Sequence, residues 1–181
     1  MRIISGIHKG RNINPPKNLP VRPTTDRSKE ALFNILNNLY EWREITVLDL
    51  FSGTGCVSFE FGSRGVNTIT SVDENKKCVE FINQVSKDLD LNILSVKSEV
   101  LNFLKLNSNK YNIVFLDPPY IFEIKEYEKL ISVLILNNLM DDGMIIVEHF
   151  SKVRLNNILG FRETRKYGNN SFSFFKNKAG R

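Results

Sequence analysis

The chain reads as an α/β protein with a seven-stranded, mostly parallel sheet, a Rossmann-like fold carrying an N-terminal hairpin and helix as an extension. Three observations predict this. Short apolar runs alternate with helix-length segments from residue 45 onward, a glycine turn follows the first run, and two strand-like pieces flank Gly168-Asn169-Asn170 near the end. Apolar strands alternating with helices make a parallel sheet covered on both faces. A Gly-Asn-Asn connection makes a terminal hairpin that turns one strand antiparallel. The 181 residues suit one domain, with 1–40 as a basic extension and 45–181 as the core.

Residues 1–23 are rich in turn formers, with Gly6, Gly10, Pro15, Pro16, Pro20 and Pro23. Ile3-Ile4 and Arg11-Asn12-Ile13 pair as a small hairpin across a turn from Gly6 to Gly10, whose tip is expected to be mobile. Thr24-Thr25-Asp26 signals a helix start, and Leu32, Ile35, Leu36 and Leu39 recur at the spacing of one helix face. Beyond residue 45, strands are expected at 45–51, 68–72, 93–96, 113–116 and 144–147, with helices at 57–64, 75–89, 100–106 and 124–136. Residues 160–167 and 171–176 form the closing hairpin.

Composition narrows the function. Net charge is +5. Residues 1–30 hold seven basic side chains against two acidic ones, while the other 151 hold 18 of each, so the whole excess lies in the first sixth. Such a segment suits a polyanion, because each neutralised phosphate releases counterions. The candidate contacts are Arg2, His8, Lys9, Arg11, Arg22 and Arg27. No apolar run is long enough to span a bilayer or serve as a secretion signal, so a cytoplasmic protein with no membrane partner is expected. Cys56 and Cys78 lack the paired spacing of a zinc site, and no metal is expected.

The chemistry sits at the ends of the strands. The first strand runs through Asp49 into Phe51-Ser52-Gly53-Thr54-Gly55, where glycines let the backbone approach a ligand closely. A carboxylate at Asp49 repels a pyrophosphate and welcomes a cationic ligand end, as the amino-acid part of S-adenosylmethionine (SAM) provides. Asp73, at the end of the second strand, is placed to accept from both ribose hydroxyls of an adenosine. Glu99 is placed to accept from an adenine amine, with Val100 beside it. Asp117-Pro118-Pro119-Tyr120 then follows the fourth strand. Proline offers a carbonyl and no N–H, so this tetrapeptide presents a carboxylate, a rigid carbonyl and an aromatic ring. That set orients the two N–H bonds of an exocyclic base amine, aims its lone pair at a methyl donor, takes its proton and stacks the flipped base.

The chain resembles the bacterial small-subunit rRNA guanine-N2 methyltransferases of the RsmD type, nearly end to end. The resemblance runs through Met1 to Gly6, Lys9-Gly10-Arg11, Val21-Arg22-Pro23-Thr24, Lys29 to Leu36, Leu48 to Gly55, Glu60, Ser63-Arg64-Gly65, Asp117 to Tyr120, and Arg165 with Tyr167-Gly168. It implies SAM as cofactor and guanine N2 of 16S rRNA as target, in the small subunit or an assembly intermediate. Ser58 stands where the family usually has glycine, Phe61-Gly62 replaces small residues, Asp73 replaces the commoner Glu, and Glu99 the usual Asp. A DNA adenine-N6 methyltransferase would use the same tetrapeptide, but it normally carries a region for reading DNA sequence. An NAD-dependent dehydrogenase gives the tetrapeptide no role. A non-catalytic RNA-binding or assembly protein has no use for both motifs.

Overall fold

The structure is a computed structural model that describes residues 1–16 and 26–177. Seven strands form one sheet in the order β3-β2-β1-β4-β5-β7-β6. They are β1 (Thr46–Leu50), β2 (Thr68–Asp73), β3 (Ile93–Lys97), β4 (Tyr111–Leu116), β5 (Leu139–Phe150), β6 (Phe161–Tyr167) and β7 (Asn170–Lys176). The pairs from β3 to β5 are parallel, and β7 alone runs antiparallel, to both β5 and β6. The helices are α1 (Asp26–Leu36), α2 (Cys56–Ser63), α3 (Lys76–Asp88), α4 (Val100–Leu106) and α5 (Ile124–Val133). The expected fold class and the antiparallel terminal strand are those observed. No helix among the described residues is long and apolar enough to cross a membrane.

Two apolar layers cover the sheet. One face carries Val47, Ile113, Phe115, Ile146, Phe172 and Phe174 under α1, α2 and α3. The other carries Leu48, Leu50, Val114, Leu116, Ile145 and Val147 under α4 and α5. The alternation of adjacent residues between these layers is the two-residue period of a strand buried on both sides. The central strands therefore read as continuous apolar runs, and the order reversal falls between β1 and β4. Ligands bind beyond the carboxyl ends of strands at such a switch point.

Two elements depart from expectation. β5 is 12 residues long rather than four, because Leu139 also pairs with Tyr111 across a register shift. The helix expected to reach residue 136 stops at Val133 and continues as one wider π turn, Leu134–Asn138.

The N-terminal hairpin forms, with Ile3 N–H donating to the Arg11 carbonyl at 3.0 Å and Gly10 N–H to that of Ile3 at 2.8 Å. Its tip is anchored, which overturns the expectation of mobility. Ile7 N–H donates to the Ser63 carbonyl at 2.7 Å, and His8 N–H to the Ser63 hydroxyl at 3.0 Å. Gly6, at φ 84°, passes so close to Ser63 that a Cβ there would overlap its carbonyl. Glu60, fully buried in α2, accepts from Ile4 N–H at 2.8 Å and Ser5 N–H at 3.0 Å. Its charge is met by Arg64 at 2.9 Å and by Lys29 of α1 at 3.6 Å. One buried carboxylate thus joins hairpin, α1 and α2.

Candidate active site

A cavity of about 420 Å³ opens at the carboxyl ends of β1, β2 and β4, lined by Asp49, the turn from Phe51 to Thr54, Asp73, Glu99, Val100 and the tetrapeptide Asp117 to Tyr120 among others. The sheet register converts residues far apart in sequence into one wall. Phe51 takes a left-handed φ of 58°, Gly53 of 52° and Gly55 of 74°. The bend lets Ser52 N–H reach the Val72 carbonyl at 3.1 Å and opens α2 directly behind the turn. At Gly55 a side chain would also press on Ile82 at 2.8 Å and Phe59 at 3.1 Å, so both φ and space require glycine there.

Asp73 organises this turn from the next strand. Its Oδ2 accepts from Gly53 N–H at 2.8 Å, and its Oδ1 accepts from Asn75 N–H at 2.8 Å. Each oxygen keeps acceptor capacity for a ligand hydroxyl. Glu99, exposed at the rim, caps α4 by accepting from Leu101 and Asn102 N–H, both at 2.9 Å. Val100 is buried beside it.

Asp49 is 2% exposed and bonded to a residue the sequence pattern marks only as a missing glycine. The Ser58 hydroxyl lies 2.5 Å from Asp49 Oδ2 and 2.5 Å from the Ser71 hydroxyl. Burial pushes the Asp49 carboxyl up to about 7, against the lowering effect of Ser58 and with a smaller push from Asp73. Without a cation beside it, this group sits at the edge of losing its charge.

At the tetrapeptide, Asp117 N–H donates to the Leu50 carbonyl at 3.3 Å, keeping the residue in line with β4. Its carboxyl is held well above the usual carboxylate range, by burial first, then by Glu148 and Asp49. Pro118 is buried and Pro119 exposed. The Pro119 carbonyl accepts from Phe122 N–H at 3.0 Å, closing a turn, so Pro118 supplies the remaining proline carbonyl. Tyr120 is 46% exposed and stacks on Phe150, with ring centroids 4.0 Å apart and planes at 29°. Phe150 ends β5 and carries no sequence signal of its own. Its role becomes visible only once β4 and β5 are adjacent.

The basic residues fall into distinct environments. Lys9, Arg11 and Arg27 are exposed. Arg2 is exposed and pairs with Asp26 at 3.3 Å. His8 turns its Nε2 into the protein, buried and without a partner among the described residues. Arg22 lies outside the described residues. Lys29, counted in the basic segment, is 1% exposed and bound to Glu60, so it is closed to any polyanion.

The family described as conserved hypothetical protein 95 matches residues 1–176. The chain is 38% identical over 157 residues to ribosomal RNA small subunit methyltransferase D of Haemophilus influenzae, covering 82% of this chain and 78% of that one. It superposes on the yhhF protein of Escherichia coli with a TM-score of 0.83 at 28% identity, over 99% of both chains. A likeness of fold alone extends to a T. thermophilus 16S rRNA N2 G1207 methyltransferase solved with AdoMet and guanosine. The TM-score is 0.69 at 17% identity, over 86% of this chain and 44% of that one.

Proposed function

From the premise that the chain belongs to the conserved hypothetical protein 95 family, whose relatives include small-subunit rRNA methyltransferases, we propose that it methylates the exocyclic N2 amine of a guanine in 16S rRNA, with SAM as donor. The observation that carries this reading is the convergence of Asp49, Asp73 and Asp117 with its two prolines on one cavity. The Asp49 pocket takes the ammonium of the donor, whose charge offsets the cost of ionising a buried carboxyl. Asp73 and the Gly53 turn take its ribose, and the rim at Glu99 and Val100 its adenine edge. When bound, SAM supplies a methyl group activated by a sulfonium.

The chain's own residues do the rest by placement. Asp117 and the Pro118 carbonyl accept the two N–H bonds of the target amine and turn its lone pair toward the cavity. Asp117 takes the amine proton as the new bond forms. Tyr120, backed by Phe150, offers a flat surface for a base drawn out of its helix. Lys9, Arg11 and Arg27, with Arg2 beside Asp26, form the exposed basic surface for phosphates. The reading favours rRNA over DNA because several relatives at 32–38% identity are named ribosomal RNA small subunit methyltransferase D.

The test separates binding from chemistry. Asp117→Ala should bind SAM with near-normal affinity by calorimetry yet transfer labelled methyl at least ~10²-fold more slowly, the scale of a positioned proton acceptor. Tyr120→Ala should lose stacking worth ~1–3 kcal/mol, read as a raised KM for RNA. Near-normal turnover in both variants would rule out this assignment of roles.

A further inference from the structure

A second carboxyl group stands behind the tetrapeptide. β4 and β5 run parallel with Leu116 level with Val147, which sets Asp117 beside Glu148 one step further along. Both follow the alternation of Phe115 and Ile146, so they belong to the same face of the sheet. Asp117 lines the cavity, whereas Glu148 is not among its lining residues and is 2% exposed. Asn170, at the start of β7, donates its Nδ2–H to Glu148 Oε1 at 2.7 Å. A glutamate in the middle of the sheet is costly to bury. Its β7 partner Phe172 and its chain neighbour Val147 are apolar, so packing alone gives no reason for an acid.

We propose that Glu148, anchored by Asn170, is a positioning residue for methyl transfer that acts through Asp117, directing the proton of the substrate amine onto it. The inference rests on the proposed reaction. Two acids in one buried site cannot both ionise freely, so the charge of one raises the proton affinity of the other. Asp117 is pushed up by Glu148 from β5 and by Asp49 from β1. Tyr127 of α5 is itself driven up to about 12, by burial first and then by Asp117 and Glu126, and stays neutral. His149, next to Glu148 in β5, is lowered by burial and bonds the Phe150 carbonyl and the Ser173 hydroxyl. In the transfer step the amine nitrogen forms a bond to the methyl carbon and the sulfur–carbon bond breaks, its electron pair remaining on sulfur. The sulfonium becomes a neutral thioether, the nitrogen gives up one proton, and the Asp117 carboxylate becomes a carboxylic acid. Asp117 thus ends neutral beside Glu148, which removes the repulsion between two ionised acids.

Glu148→Gln tests this, because the amide keeps an oxygen for Asn170 and removes only the charge. Single-turnover transfer at saturating SAM should show an acid limb in wild type that moves to lower pH by about one unit or more in Glu148→Gln. SAM affinity should be unchanged. In the free protein, 13C NMR of labelled aspartate carboxyls, assigned with Asp117→Asn, should show the Asp117 midpoint falling in Glu148→Gln. With glutamate carboxyls labelled as well, Asp117→Asn should lower the Glu148 midpoint in the same way, which reports the coupling independently of activity. Asp117 midpoints and acid limbs that coincide in wild type and Glu148→Gln would overturn the role of Glu148. Absence of transfer by the wild-type protein would instead overturn the proposed reaction, with the NMR coupling still deciding whether the pair exists.

Discussion

Burial lifts the Asp49 carboxyl to about 7, while an unfolded aspartate ionises near 4. In the free protein the folded state therefore holds a proton between about pH 4 and 7 that the unfolded state has lost, so Asp49 makes stability fall as pH rises through that window. A ligand ammonium reverses the preference, because it favours the ionised acid. SAM binding below pH 7 should then expel a proton, and affinity should rise by up to about tenfold per pH unit toward pH 7. Calorimetry between pH 5.5 and 7.5 checks this, with Asp49→Asn expected to show a flat profile. Parallel slopes in the two proteins would remove Asp49 from the ammonium pocket. Asp73→Ala should weaken SAM by ~1.5–3 kcal/mol through loss of a charged acceptor, and it should also release the Gly53 turn that Asp73 holds at 2.8 Å. Asp73 and Asp117 are legible in the sequence because each closes an apolar run next to a turn, and Asp49 because it interrupts one just before the glycine turn. Ser58 and Glu148 are not. The first shows only as a departure from a glycine pattern, and the second sits inside an apolar strand whose neighbours are fixed by register.

At the scale of elements, α2 joins the N-terminal hairpin to the glycine turn that lines the cavity. Its N-terminus follows the glycine turn, and its C-terminal half holds the hairpin through Glu60 and Ser63. All eight residues of α2 are buried, so it shows no polar face, and its place after a strand and a glycine turn is what identifies it. Glu60→Gln should leave Lys29 buried without its counter-charge and lower stability by about 3 kcal/mol, read as a shifted urea midpoint. An unchanged midpoint would mean that the hairpin is held by its backbone contacts alone. The hairpin itself follows from Gly6 and Gly10, but its anchoring depends on α2, some 50 residues further on, which local turn chemistry cannot reveal. Removing Lys9 and Arg11 together should flatten the salt dependence of RNA affinity by about two phosphate contacts while sparing SAM affinity. If the slopes coincide, the RNA surface lies elsewhere, first at the exposed Arg162, Arg165 and Lys166 of β6.

Across the whole molecule, one sheet brings three acids from three strands to a single cavity, and the strand order does this without any long-range sequence signal. The alternating apolar runs are enough to foresee parallel strands, because each central strand is buried on both faces. The length of β5 is less visible, since Asp141, Asp142 and Gly143 are not a strand pattern and pairing with β4 decides the matter. The central claim is that this cavity moves a methyl group from SAM to guanine N2 in small-subunit rRNA. The most direct measurement is mass spectrometry of nucleosides after incubating wild-type protein and SAM with naked 16S rRNA, small subunits and DNA in parallel. The expected result is N2-methylguanosine in one or both RNA-containing samples, none in DNA, and none with Asp117→Ala. N6-methyladenine in DNA, or no methylated nucleoside in any sample, would contradict the claim.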